Sequence, residues 1–349
     1  MQFGLVSAKS QAAAPFCLGF AFRAGDVPAG SSVAATGVSL QFTPRSTWPD
    51  GSLKFAQLAG RADLTADQVL TVRLRRSDPV PTPAALTLVD LKATGLVAEI
   101  DAAALGRASF AGSDWDSPAQ AWVSGPQMSS WVYRKPVGTD PHLTAWLEVR
   151  LFAGGLVEVL PWVENGYLLV ADPTSKTAVY SFSLGGTQRF SAAIDLAHHQ
   201  RTPLLSGTAL SHWLGTDPGV TPRHDLAYLQ ATELVPTYRA RVAASAVNVA
   251  ALAASFTPLQ KGNFNYDGDS MPSSGYQDPI GLLPQADALF LCTEAANTYA
   301  AVVRNGYSAG RYPIHFRDEK TQRPIRFSQY PTLTLNADSP VRDTGGSTT

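Results

Sequence analysis

The stretch "LTAWLEVRLFAGGLVEVLPWVENGYLLV", residues 143–170, decides the fold. Leu147, Val149 and Leu151 alternate with Trp146, Glu148 and Arg150, the two-residue period of a strand with one apolar face. Ala153-Gly154-Gly155 turns the chain, and Leu156 to Val163 returns with Val157, Val159 and Pro161 on one face. Such a hairpin buries its apolar face only against another layer, so a sandwich is expected here. Arg150 and Glu158 are candidates for a cross-strand pair, worth on the order of tenths of a kcal/mol if exposed.

The same pattern continues outward. "AVYSFSLGGTQRFSAAIDL", residues 178–196, reads as a second hairpin turning at Gly185-Gly186. Upstream, "FCLGFAF", "SVAATGVSLQFTP", "SLKFAQLAG" and "QVLTVRLRR" are short strands between turn-rich pieces, which suits a small barrel or sandwich. Trp48-Pro49-Asp50-Gly51 is a turn signal. Leu53, Phe55 and Gln57 then point one way and Lys54, Ala56 and Leu58 the other. Trp48 marks a corner of that barrel, in preference to a stacking surface for a sugar. "SDPVPTPAAL", residues 77–86, is a proline-rich linker or edge crossing, and residues 90–135 are strands with a long excursion.

After about residue 226 the character changes. "RHDLAYLQATELVPTYRARVAASAVNVAALAASF" is interrupted by Pro236 and reads as short helices or turns. "LLPQADALFLCTEAANTYAAVVRNG", residues 282–306, predicts one long helix. Pro284 lies in its first turn, Leu289, Leu291, Cys292, Ala296, Tyr299 and Val303 form a wide apolar face, and Gly306 ends it. The expected protein is therefore mainly β. A small barrel covers residues 1–80 and a large β-sandwich residues 81–250; a loop-rich segment, 251–349, carries the helix and a tail disordered in composition.

With 349 residues, charged side chains at 16% and a formal charge of −1, no acidic or basic field points to nucleic acid or a membrane surface. No apolar window is long enough for a spanning helix. The N-terminus lacks a basic n-region, so synthesis in the cytoplasm is expected, any outside role needing another export route; virion association would fit. Cys17 and Cys292 sit in apolar runs and read as free buried thiols. His198, His199, His212 and His224 lack metal-ligand spacing, and no glycine-rich loop opens a helix as a phosphate cradle does, so neither metal nor cofactor is expected.

Three stretches resemble one family. "FAFRAGDVPAGS" with "WPDGSLKFAQL" is similar to the RIFT-type barrel that opens exo-rhamnogalacturonan-lyase-like proteins, and "LEVRLFAGGLVEVLPWVEN" to their following β-sandwich. "IGLLPQADALFL" with "RYPIHFRDE" resembles the start of their α/α toroid. The resemblance implies a carbohydrate-active protein with a polysaccharide or glycan as partner. Only one convincing helix is present where the family's toroid needs about a dozen, so the expectation is a lost toroid, a partner chain that supplies it, or a C-terminal region beyond this one completing the helical domain.

Lyase chemistry needs a base beside the sugar C5 and a cation on the uronate carboxylate. His315 or Tyr312 is the candidate base, and Arg311 or Arg317 the clamp; the same residues would serve equally to tie down an extended arm. Hydrolysis is the alternative. It uses two carboxylates ~5 to ~9 Å apart, here Glu319 with one of Asp267 and Asp269 in the loop Tyr266-Asp267-Gly268-Asp269-Ser270, where Asp also favours turns for local reasons. "GDSM", residues 268–271, lacks the buried strand and later Asp-x-x-His of a GDSL-type esterase; Asp195-x-x-His198 precedes the serine.

His198 is a candidate acid–base group if it faces a cleft. Tyr266 and Asp267 are candidates for substrate contact, and Trp115 in "GSDWDSP" is the best candidate for stacking on a sugar. A non-catalytic virion, tail or glycan-adhesion protein reusing the β scaffold is the rival class. A sugar-sized hollow is expected where the β layers meet the first helical hairpin; convergence of the 262–279 loop and the 311–319 arm on one open groove would support the site, and their separation would end it.

Overall fold

The computed structural model describes residues 1–79, 83–168, 175–206, 209–236, 245–247, 250–251, 283, 285–293, 295–309 and 314–330. The chain is mainly β. Strands β1 (Gln2–Val6), β2 (Gln11–Ala21), β3 (Ser32–Ala35), β4 (Ser39–Thr47), β5 (Leu53–Leu64) and β6 (Leu70–Ser77) come first. Helix α1 (Leu88–Ala93) leads to β7 (Ala98–Asp101), β8 (Arg107–Phe110), β9 (Gln120–Val123), β10 (Met128–Val137), β11 (Asp140–Phe152) and β12 (Leu156–Asn165). Then follow β13 (Lys176–Leu184), β14 (Thr187–Leu196), β15 (Gln200–Pro203), β16 (His212–Leu214) and β17 (Thr221–His224). Helices α2 (Leu226–Ala231), α3 (Gln285–Thr293) and α4 (Ala296–Ala309) follow.

The N-terminal strands form two sheets, ordered β2-β5-β4 and β17-β1-β6-β3. Phe3, Phe16, Phe20, Phe22, Leu58 and Val72 fill the core between them. Strand β17 returns from beyond the sandwich to pair with β1, and Tyr228 of α2 stacks on Phe20 at 5.8 Å. Trp48 is a corner. Its N–H donates to Ser52 O (2.7 Å) and its O accepts from Gly51 N (2.9 Å), while the indole N–H donates to Phe22 O (2.9 Å). Gly51 has φ +81°, which the turn requires. Along β5, Ala56 and Leu58 face the core, whereas Phe55 points outward and is 39% exposed.

The sandwich pairs a sheet ordered β15-β12-β11-β10-β9, with β16 also on β12, against one ordered β14-β13-β7-β8. Leu147, Val149, Leu151, Val157, Val159 and Val163 meet Ile100, Phe110, Tyr180, Phe182 and Leu184 in its core. Each such side chain contributes about 1.5–3 kcal/mol relative to exposure, so the two-residue period fixes which face turns inward. The 184–187 turn closes on Gly185 (φ +58°) and Gly186 (φ +77°), a two-residue hairpin loop whose conformation glycine adopts freely.

A bridge core of Ala59, Val123, Met128 and Phe152, with Cys17, Leu156 and Trp213 beside it, joins the two β units. Gln41 clasps the same seam: Oε1 accepts from Gln127 N and Met128 N (both 2.9 Å), and Nε2 donates to Met128 O (3.0 Å).

The single long helix expected from the sequence is two. Thr293 Oγ1 donates to Leu289 O (2.7 Å) and accepts from Ala295 N (3.4 Å), and Thr298 Oγ1 donates to Ala295 O (2.8 Å). Threonine hydroxyls thus take backbone partners at the junction, a competition that ends α3. Gly306 does not end the second helix but lies inside α4. Both cysteines are free thiols. No helix among the described residues is long and apolar enough to cross a membrane.

Candidate functional site

Of the residues singled out from sequence, Tyr266, Asp267, Asp269, Arg311 and Tyr312 lie outside the described residues, as does the 262–279 loop. His198, His315 and Arg317 come together at one end of β12. His315 N donates to His199 O (3.0 Å) and Arg317 N to Gly166 O (2.8 Å), while Leu168 N donates to Arg317 O (2.8 Å). The 314–318 segment is thereby laid alongside residues 166–168, with an isolated parallel bridge between Tyr167 and Arg317. His198 Nε2 lies 2.7 Å from Tyr167 O, His199 Nδ1 lies 3.2 Å from His315 O, and the two imidazoles stack at 3.6 Å. Burial, and then the neighbouring His198, pushes the His199 pKa down to about 4; burial also lowers that of His198.

Arg317 is engaged within the fold. Its Nε and Nη2 meet the Glu164 carboxylate at 2.5 and 3.1 Å, its Nη1 donates to Gln322 O (2.8 Å), and its guanidinium lies 4.7 Å from the Trp146 ring. Glu164 is only 1% exposed. The geometry is that of an anchor for the arm. Gln322 Oε1 accepts from both Arg134 and the Tyr167 hydroxyl and closes the same turn, from which Glu319 contributes a carbonyl to Gln322 Nε2 (2.6 Å).

Trp115 requires a correction. It is 1% exposed, with its indole N–H on Leu96 O (2.9 Å), its carbonyl accepting from the Tyr133 hydroxyl (2.9 Å) and its ring edge-on to Tyr133 at 4.9 Å. It has no face to offer a sugar. The flanking polar residues misled: Asp114 pairs with Lys135 and Asp116 with Lys92 (both 2.5 Å) at the surface, while the ring between them turns inward.

A cavity among the described residues lies elsewhere. About 700 Å³ in volume, it opens where β2 and β5, the outer face of β11–β12, β16 and helix α4 meet. Phe55 and Trp213 supply aromatic wall, and Trp213 is held by stacking on Phe152 at 5.6 Å. Gln57, Arg150, Glu158 and Ser211 supply polar wall, and Tyr299 and Tyr307 reach in from α4.

Arg150 organises the floor. Its Nε donates to Glu148 Oε1 (2.8 Å) and its Nη1 to Glu158 Oε2 (3.1 Å), while Ser211 Oγ donates to Glu158 Oε1 (2.7 Å). Burial works against the Arg150 charge, but Glu158 and then Glu148 overcome it and hold its pKa well above the ordinary value. Burial raises the Cys17 thiol, which accepts from Gln57 Nε2 at 3.0 Å, and pushes Tyr299 up to about 12. The Tyr307 hydroxyl donates to Leu210 O (2.9 Å).

No protein-family model matches this chain, and no curated protein matches it either.

Among the described residues no three His, Cys, Asp or Glu side chains converge as a metal site would require. The cavity floor offers fixed donors and acceptors beside aromatic surface, which suits a polar ligand carrying apolar ring faces. Sequence reasoning named Arg150 and Glu158 as a cross-strand pair, which the structure forms, but not as the floor of a cavity. The signal for more was present: Trp146, Leu160 and Trp162 share that outer face with the charges, too apolar a mixture to stand in water.

Proposed function

We propose that this protein binds a carbohydrate in the cavity between its two β units and α4. One observation carries the reading: Phe55 and Trp213 share a cavity of about 700 Å³ with a fixed polar floor of Arg150, Glu158 and Ser211. That volume falls within the ~300–1,000 Å³ of small-molecule sites. Sugars present both kinds of surface, apolar C–H faces that stack on aromatic rings and a rim of hydroxyls. The resemblance to exo-rhamnogalacturonan lyases points to the same ligand class.

Binding without cleavage, as in glycan adhesion by a virion or tail protein, needs only what the cavity supplies. Elimination at a uronic acid would need a cation for the substrate carboxylate, and Arg317 already holds Glu164. The test is saturation-transfer NMR against a panel of plant and bacterial oligosaccharides, with Phe55→Ala and Trp213→Ala as variants. Binding that falls at least fivefold in both, in proteins of unchanged near-ultraviolet dichroism, upholds the reading. Silence across the panel, or binding indifferent to both variants, refutes it. Ultraviolet absorbance from a new C=C bond during incubation with acidic pectic polysaccharide would instead establish lyase action.

A further inference from the structure

We infer that the ligand is a neutral saccharide, held through a vicinal pair of hydroxyls by Arg150 and Glu158, and that the cavity rejects uronates. The inference rests on the carbohydrate reading above. A hydroxyl is donor and acceptor at once, so two neighbouring hydroxyls are best met by a fixed donor beside a fixed acceptor. Arg150 and Glu158 stand directly opposite in the register of β11 and β12, joined at 3.1 Å. The Arg150 Nε and Nη1 are taken by Glu148 and Glu158, whereas Nη2 has no hydrogen-bond partner among the described residues.

The side chain is 30% exposed and lines the cavity. Glu158 is fixed from two sides, by Arg150 on Oε2 and Ser211 on Oε1, and each oxygen retains accepting capacity. Donor and acceptor are therefore preorganised before any ligand arrives, which lowers the ordering cost of binding.

Charge decides the class. One guanidinium faces two carboxylates, so the group Glu148–Arg150–Glu158 carries a formal surplus of one negative charge. The three side chains are mostly buried, and charges interact more strongly there than in bulk solvent. A uronate placed over this floor meets repulsion, and the floor's cation is already shared between two partners. Arg45, the other lining arginine, stands exposed with its guanidinium on Gln57 Oε1 (2.5 Å), where salt screens it.

The test uses matched probes: methyl pyranosides of gluco, galacto and manno configuration, each against its own methyl uronide, titrated by NMR at about 0.15 M salt. Each pair differs only in CH₂OH against carboxylate at C6. The expected result is that the neutral glycosides that bind do so at least about tenfold more tightly than their uronides, a difference of about 1.4 kcal/mol. Glu158→Gln and Glu148→Gln should each narrow the gap to threefold or less, by admitting the uronide. A uronide that binds as tightly as its neutral partner, or a gap that neither variant narrows, overturns the inference while leaving the carbohydrate reading intact. No binding by any glycoside or by the oligosaccharide panel overturns both.

Discussion

Replacing Arg317 by methionine should free the C-terminal arm while leaving the cavity's ligand binding untouched. The guanidinium holds Glu164 through contacts of 2.5 and 3.1 Å beneath a surface that leaves Glu164 1% exposed. Stranding one charge of such a pair costs on the order of 3–5 kcal/mol if it must stay buried. Here it has an escape, because the 314–318 segment can lift and let water reach Glu164. The loss is then capped by what docks the arm. Among the described residues that includes the His315–His199, Arg317–Gly166 and Leu168–Arg317 backbone hydrogen bonds, the Gln322 bonds from Arg134 and Tyr167, and the Phe316 ring 4.4 Å from His199. At about 0.5–1.5 kcal/mol net for each of these hydrogen bonds, the cap is about 3–7 kcal/mol.

Two measurements follow from this mechanism. Trypsin should cut at Lys320 and Arg326 on the order of tenfold faster in Arg317→Met, since cleavage tracks the population of the open form. In urea, Glu164→Gln with Arg317→Met should lose at least about 1 kcal/mol less than the sum of the single variants, because the double variant strands no charge. Strict additivity together with unchanged trypsin cleavage would refute the anchor, and loss of ligand binding in Arg317→Met would restore the clamp role.

Two further outcomes are expected. The folded-state pKa of His199 lies at about 4, below the ordinary 6.5, so the unfolded chain binds more protons between these values. The stability this contributes is fully present above pH 6.5 and is lost as pH falls through 4, about 3–4 kcal/mol in all. His199→Asn, which tolerates the φ of +63° found there, should flatten the melting temperature across that window; an unchanged slope would refute it. Gln41→Ala removes three hydrogen bonds and leaves Met128 N–H and C=O without them at a buried seam, so chemical denaturation should show a loss of about 2–4 kcal/mol, and a loss under 1 would contradict the clasp.

What was legible in the sequence was local. The alternation through Leu147, Val149 and Leu151, the Gly185-Gly186 turn and the Trp48 corner are each set by residues a few positions apart, where strand period and turn geometry act directly. The break between α3 and α4 was missed because apolar periodicity runs through it, while the deciding hydroxyls of Thr293 and Thr298 act on the backbone. Trp115 was misjudged because residues 112–116 form a 3-10 turn, whose successive side chains fan out about 120° apart, so polar neighbours say little about the ring between them. His198, His315 and Arg317 were chosen for residue type, and the structure does unite His198 with the arm. Their separation of more than a hundred positions hid the carboxylate that takes Arg317, since Glu164 reads as an ordinary outward strand residue.

The outer face of β11–β12 explains why cavity and arm belong to one device. A sheet with one face in a sandwich core ordinarily turns the other to water. Here that face carries Trp146 and Trp162 stacked at 5.8 Å, Glu164 under the arm, and Glu148, Arg150 and Glu158 beside Tyr307 of α4. Charges so placed are stable only while something both covers and neutralises them. At the Glu164 end the cover brings its own cation, Arg317, and the site is closed. At the Arg150 end α4 is held off the sheet, with Arg304 on Ala209 O (2.8 Å) and Tyr307 on Leu210 O (2.9 Å), so the loop leading to Ser211 lies between helix and strand. The cavity is the space this spacing leaves. Loosening α4 should therefore open the binding floor to solvent and withdraw Tyr299 and Tyr307 from it, whereas freeing the arm should not.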